Sequence, residues 1–299
     1  MKQETLTIHP DETHLRIDSL LKNRFPDFSR AYFQYLIEQG FVCIKARSLK
    51  KRDKLEAGKQ ITVQFAPSEP LHLEAEAMDL DILYEDAWLI AINKKAGTVV
   101  HPGAGNRRGT LVAGLLHYLG SLPESDDPLR PGIVHRLDKD TSGVIIAAKT
   151  REVQAKLIDL FKERKIQKTY LAITHSKPNP TTVDAPIGRH PIKRDMMTIR
   201  EEGGKPAITN LCVIGYDHKH AYVMAYPITG RTHQIRVHLK SIGAPIVGDP
   251  VYGIGNEEEI PLCLHAYKIQ FVHPMTGETI VITAPKPAHL ETWAKRLEK

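Results

Sequence analysis

Apolar positions near the start of the chain recur at helical spacing: Ile17, Leu20 and Leu21, with Arg24 in step, predict a first helix. Ser29 reads as the N-cap of a second helix, with Tyr32, Phe33, Leu36 and Ile37 on its buried side and Gly40 ending it. Two short apolar runs, 41–44 and 61–65, then read as strands. Further on, 88–92, 144–148 and 168–174 are strand-like. Thr110 and Thr150 stand where caps belong, ahead of Leu111, Leu115 and Leu119 and of Val153, Leu157, Leu160 and Phe161. Residues 207–216 and 221–226 flank the polar turn 217–220 and predict a hairpin, with 218–220 expected in solvent. Ile235, Leu239 and Ile242 have helical spacing and stop at Gly243. Late strands are expected over 262–272 and 278–283, and a last helix over 289–297. Strands outnumber helices without a regular βαβ repeat, so the class is α+β, with no internal repeat.

Charge divides the chain. Residues 1–66 carry 12 basic and 8 acidic side chains, residues 67–86 none and seven, and residues 87–299 carry 29 and 20. The acidic stretch contains Pro67 and Pro70. It predicts a linker over 67–80 between a small basic domain, 14–66, and a larger basic one, 81–299. A formal charge of +6 suits a polyanionic partner. Arg47, Lys50, Lys51, Arg52 and Lys54 put five cations within eight residues, a pattern that suits phosphate contact as well as a solvated loop. Cys43, Cys212 and Cys263 are far apart and form no Cys-x-x-Cys pair, which argues against a disulfide framework or a cysteine zinc module. No apolar run is long enough to span a bilayer, and the first eighteen residues contain no apolar signal core. A cytoplasmic protein, with a monomer as the default, is the expectation.

The densest polar cluster is the run from Gly132 to Gly143, which places His135, Arg136, Asp138, Lys139 and Asp140 on a loop ahead of an apolar strand. A carboxylate acts as a nucleophile only while ionised, and burial alone neutralises it, so this loop needs a nearby cation. From the residues alone, a functional loop and an exposed salt-bridged turn both stay open. In a second cluster, Gly230 to Leu239, Thr232 is expected to cap a helix. That leaves Arg231 beside the positive end of the helix dipole, where an anion would make sense of it. His233, Arg236 and His238 read more simply as helix-surface or packing residues. Histidines at i, i+5 do not share a face, so no metal site is expected. Tyr170 reads by default as a half-buried sheet aromatic. Gly-x-Ser-x-Gly, His-Glu-x-x-His, P-loop and Gly-x-Gly-x-x-Gly motifs are all missing from the sequence.

The run His135-Arg136-Leu137-Asp138-Lys139-Asp140-Thr141-Ser142-Gly143 closely resembles the signature of RluA-type pseudouridine synthases. Residues 81–86, Asn93-Lys94-Lys95-Ala96-Gly97 and Val100-His101-Pro102-Gly103 resemble the family's opening segment. Residues 164–172 resemble its tyrosine motif, 230–239 followed by 248–253 its basic motif, and Leu264-His265-Ala266 its late leucine motif. Residues 14–65 are more loosely similar to an S4-type RNA-binding domain. There Lys45-Ala46 replaces the usual Asn-Gly and Lys59 follows Gly58; in the larger domain Lys95 replaces a usual Pro.

The resemblance implies a mixed, mainly antiparallel sheet with flanking helices, the pseudouridine synthase fold, plus a small N-terminal α/β domain. It implies isomerisation of uridine within RNA, without cofactor or metal. By resemblance Asp138 is the catalytic carboxylate, Arg231 its paired cation, and Tyr170 the aromatic that stacks on the target base and assists at its C5 proton. Arg136 enters the RNA stack, and His135 and Leu264 complete substrate binding. Arg47, Lys50, Lys51 and Arg52 are the expected RNA contacts of the small domain. Large-subunit ribosomal RNA is the expected partner, with transfer RNA as the alternative substrate. A catalytically silent RNA-binding or ribosome-assembly factor, and a hydrolase using Asp138 and Asp140, are the competing readings.

Overall fold

The computed structural model describes the chain apart from residues 1, 27, 29, 46, 67–72, 104, 105, 107, 124, 126–128, 180, 194, 195, 256, 258 and 299. The expected Ser29 cap, Ala46 and the Pro67–Pro70 part of the linker lie outside the described residues. Two compact units form, one from Met1–Leu73 with Ser125–Arg130, the other from Glu74–Glu124 with Pro131–Lys299.

In the small unit, strands β1 (Lys2–Thr7), β2 (Val42–Ile44), β3 (Arg47–Ser48) and β4 (Gln60–Phe65) make an antiparallel sheet in the order β1-β4-β2-β3. Helices α1 (Ile17–Arg24) and α2 (Arg30–Glu38) contribute Ile17, Leu20, Leu21, Phe33, Leu36 and Ile37 to a core with Val42, Ile61 and Val63. The two expected helices and both strands are present. The unit starts ahead of residue 14, however, because β1 pairs with β4 along its whole length. Residues 74–80 belong to the larger unit rather than to a free linker: Glu76 N–H donates to Ala113 O at 3.2 Å and Glu76 Oε2 accepts Gly109 N–H at 2.7 Å.

The larger unit is built on nine strands: β5 (Ile82–Glu85), β6 (Leu89–Lys94), β7 (Ser142–Ala148), β8 (Gln167–Thr174), β9 (Thr182–Asp184), β12 (Ile208–Tyr216), β13 (Ala221–Pro227), β14 (Leu264–Val272) and β15 (Thr279–Thr283). Their order is β5-β6-β7-β14-β8-β13-β12-β9, with β15 also on β14. All pairings are antiparallel except β7 with β14, where Ser142 faces His265 and Gly143 faces Ala266. Strands β10 (Ile187–Arg189) and β11 (Met197–Ile199) form a separate hairpin. Helices α3 (Leu111–Leu119), α4 (Arg151–Lys162), α5 (Gln234–Ser241) and α6 (Ala288–Leu297) complete the unit. The α+β, mainly antiparallel architecture is as expected.

Local chemistry explains the boundaries. Thr150 caps α4 by accepting Val153 N–H at 3.3 Å, whereas Thr110 adopts cap geometry at α3 without a side-chain hydrogen bond. β7 is buried along its whole length, which suits a continuous apolar run. The turn 217–220 is not wholly in solvent: His218 and Lys219 are exposed, but the His220 ring packs on Trp293 with centroids 4.6 Å apart.

Candidate active site

The polar loop 134–141 enters β7 beside the centre of the sheet. Gly143 secures that junction: its φ is +111°, and a Cβ there would collide with the Ala266 carbonyl on β14, so only glycine fits. Tyr170 on β8 pairs with Ala225 of β13 and Ala266 of β14, and Leu264 begins β14. These elements and the approach to α5 enclose a cleft of about 520 Å³ lined by His135, Arg136, Asp138, Tyr170, Arg231 and Leu264 among others. All six site residues expected in the larger domain therefore converge on one cavity, of a size that suits a nucleotide base and sugar.

Within it, the cation against Asp138 is not the expected one. Arg236 Nη1 donates to Asp138 Oδ2 at 3.3 Å. Arg231 instead donates its Nε–H to Pro206 O at 3.0 Å and its backbone N–H to Gln234 Oε1 at 2.9 Å. The correction has a backbone cause. α5 begins at Gln234, with His233 as N-cap in the left-handed region (φ 56°, ψ 19°), so Thr232 is not the cap and Arg231 lies before the helix. Arg236, read from the sequence as a surface or packing residue, is 4% exposed and points into the site.

Arg236 is held from behind. Its Nε and Nη2 donate to Asp249 Oδ2 and Oδ1 at 2.8 and 2.7 Å, a bidentate fork on a fully buried carboxylate. Asp249 also accepts the Val251 and Tyr252 N–H groups at 2.9 and 3.0 Å. Burial opposes charge on both partners, yet their mutual pairing prevails: Asp249 is held below the ordinary carboxylate range and Arg236 above its ordinary value. The fork uses the Nε/Nη2 edge of the guanidinium and leaves Nη1 to donate to Asp138, whose side chain is 17% exposed.

On the other side of Asp138, His233 Nε2 lies 4.0 Å from Oδ1. His233 Nδ1 is 2.9 Å from the Tyr252 hydroxyl, which accepts Met197 N–H at 2.8 Å. Burial lowers the His233 pKa, overcoming the pull of Asp138. Burial and the nearby Asp138 charge raise the Tyr170 pKa, so its phenol stays protonated, as suits a stacking surface. His135 lines the cleft wall, but its Nε2 accepts Ile146 N–H at 2.9 Å and its ring stacks on Phe161 at 4.6 Å. Burial and then Lys168 push its pKa down to about 3, so it remains a neutral acceptor. Arg136 is exposed at the rim.

Beneath the loop, Lys94 is 1% exposed and donates to the carbonyls of Lys95, Thr98 and Lys139 at 3.0, 2.9 and 2.8 Å. Burial pushes its pKa down to about 8, against the pull of Asp140 and Asp138. It ties β6 to the backbone one residue beyond Asp138. Sequence reasoning missed Lys94, Arg236, Asp249, His233 and Tyr252 as site residues. All five lie within segments that resemble the family's motifs, at 93–97, 230–239 and 248–253, but nothing in those segments assigned them to the site.

In the small unit two of the expected RNA contacts are already paired: Arg47 with Asp53 at 2.8 Å and Lys51 with Glu38 at 2.5 Å. Lys50 and Arg52 are exposed and have no ion pair among the described residues. The segment is also not a plain loop, since it holds β3 and the buried Leu49. Among the described residues no group of three or more His, Cys, Asp or Glu side chains is arranged to hold a metal ion, and no helix is long and apolar enough to cross a membrane.

Residues 88–241 match the model of the RNA pseudouridylate synthase family. The chain is 41% identical over 286 residues to ribosomal large subunit pseudouridine synthase D of Neisseria meningitidis, covering 91% of this chain and 76% of that one. It is 38% identical over 302 residues to the uncharacterized RNA pseudouridine synthase YlyB of Bacillus subtilis, covering 100% and 99%. Among solved structures, human RNA pseudouridylate synthase domain containing 1 superposes with a TM-score of 0.57 at 27% identity, covering 75% of this chain and 87% of that one.

Proposed function

Because the chain belongs to the RNA pseudouridylate synthase family, and is thereby an RNA uridine-to-pseudouridine isomerase, we propose that Asp138 is its catalytic carboxylate and that its substrate is large-subunit ribosomal RNA. The observation that carries the catalytic assignment is the Asp138–Arg236–Asp249 array in the floor of the cleft. The isomerisation breaks the N1–C1′ bond, turns the base and joins C5 to C1′; the C5 proton is lost to solvent and N1 takes up a proton, so that nothing is gained or lost overall. Asp138 supplies the nucleophilic carboxylate, with one oxygen steadied by Arg236 and the other facing His233 Nε2. Tyr170 offers its ring to the displaced uracil. Arg136, exposed at the rim, fills the space in the RNA stack, offsetting an unstacking cost of about a few kcal/mol. The small unit acts as an S4-type RNA-binding domain, with Lys50 and Arg52 as the expected contacts that have no ion pair among the described residues. The ribosomal substrate is supported by the names of relatives such as the Neisseria protein.

Tritium release from RNA labelled at uridine C5 tests the assignment. The wild type releases label from large-subunit ribosomal RNA, and Asp138→Asn abolishes release while RNA binding survives. Turnover persisting in that variant overturns the role of Asp138. Release from transfer RNA alone, or pseudouridines in the large-subunit RNA unchanged on deleting the gene, overturns the substrate.

A further inference from the structure

Lys168 lies where two clefts meet. Together with Tyr170 it lines the active cleft, and the two residues, separated by one position on β8, project from the same face of the strand. Lys168 also lines a second cleft of about 360 Å³, bounded by Arg164, Gln167, Tyr226, Lys268 and Gln270. Arg164, Lys168, Pro227 and Ile228 are common to both cavities, so the two adjoin across these side chains. The second cleft is lined by three cations and no carboxylate among the described residues.

The amine at this junction is poorly provided for by the protein. Lys168 Nζ donates to Thr229 O at 3.3 Å, and no other hydrogen bond or ion pair is present among the described residues, although an ammonium has three donors. Burial pushes its pKa down to about 8. Lys94 makes the contrast: more deeply buried, at 1% exposed against the half-buried Lys168, it satisfies three carbonyls and is a structural clamp. A half-dry cation with spare donors, set between two cavities, is costly to the free protein and fitted to an incoming anion.

We propose that Lys168 seats a backbone phosphate flanking the displaced uridine, and that the adjoining nucleotide runs out along the second cleft past Arg164 and Lys268. The proposal rests on the reading of the first cleft as the uridine pocket. The spacing is suitable: two residues of strand, roughly 7 Å, separate the backbone positions that carry the stacking ring and the amine on one face, about as far as a nucleobase lies from its own phosphate. A phosphate is favoured over a base carbonyl because the second cleft presents further cations, which suit a continuing polyanionic strand.

The test pairs protein variants with RNA substrates in which one phosphate, 5′ or 3′ to the target uridine, is replaced by a neutral methylphosphonate. For the full-length wild type, one of the two replacements weakens RNA binding on the order of ten-fold. Lys168→Met weakens binding to unmodified RNA by a similar factor, and in that variant the same methylphosphonate has no further effect. Lys168→Arg restores the sensitivity. Lys268→Ala lowers the slope of log affinity against log salt by about one. Folding is checked by thermal unfolding, where removing the buried charge leaves Lys168→Met at least as stable as the wild type. Methylphosphonates that cost Lys168→Met as much as the wild type overturn the proposal. So does a variant with intact affinity whose turnover falls equally on every RNA, since the amine would then act on the base. A wild type that releases no tritium from unmodified RNA points instead to failure of the underlying reading.

Discussion

Asp249 decides what Arg236 can do. A guanidinium is a planar fork, and with its Nε/Nη2 edge committed to a buried carboxylate it presents Nη1 to Asp138 at 3.3 Å in a fixed direction. The long contact supports the carboxylate without tying it down, which suits the nucleophilic role proposed for it. Removing the fork leaves Asp249, 0% exposed at its side chain, as an unpaired buried charge. Arg236→Ala is therefore expected to cost about 3–5 kcal/mol in urea unfolding and to abolish tritium release even at saturating RNA. Arg231→Ala, which loses one hydrogen bond to a backbone carbonyl, should stay within about 1.5 kcal/mol of the wild type. Equal stability of the two variants would remove Asp249 from the account. The sequence marked the segment 230–239 but not which arginine serves Asp138. That depends on where the helix starts, and a left-handed His233 moves the start to Gln234, a backbone choice that histidine tolerates better than most residues but does not dictate.

At the level of elements, the pocket is a consequence of the parallel contact between β7 and β14. The contact is two residues long and brings Ser142 and Gly143 against the strand that begins with Leu264, directly behind the Asp138 loop. A side chain at 143 has neither the φ nor the space, so Gly143→Ala should cost about 1–3 kcal/mol or more in urea unfolding and lower turnover by displacing the loop. Full activity and stability in that variant would mean the junction is more pliant than its packing implies. The central strands, the 208–227 hairpin and the helices were legible because their periodicity is unambiguous: β7 is buried throughout, and α4 repeats its apolar residues over two turns. β1, β3, β9, β10 and β11 were not. They are short or mixed polar strands such as Lys2–Thr7, whose identity comes from a partner far along the chain and not from their own pattern.

Over the whole molecule, the two-part division was read from the charge shift together with Pro67 and Pro70, while the placement of residues 74–80 required the contacts to α3 that composition does not record. A second global property is the number of histidines held neutral inside the larger unit. Burial lowers the pKa of His220, His233, His238 and His289, and pushes His265 down to about 4 and His135 down to about 3. His265 is 1% exposed and shares a hydrogen bond of 2.9 Å with Ser142 Oγ across the β7–β14 contact. Above about pH 6.5 these rings are neutral in both the folded and the unfolded chain, and the stability they contribute is fully present. As pH falls below that value the unfolded chain binds protons that the folded chain refuses, so stability drops with pH until the folded values are reached. For His265 alone the loss between about pH 6.5 and 4 is on the order of 3 kcal/mol. Urea unfolding of the wild type should therefore show a midpoint that declines from pH 7 to pH 5, before the ordinary carboxylate range is entered. Calorimetry in buffers of different ionisation enthalpy should show net proton uptake on unfolding at pH 5.5. His265→Gln should reduce the decline. A midpoint constant from pH 7 to pH 5 would mean that these rings accept protons in place, and that the sheet around the Asp138 loop is wetter than its packing shows.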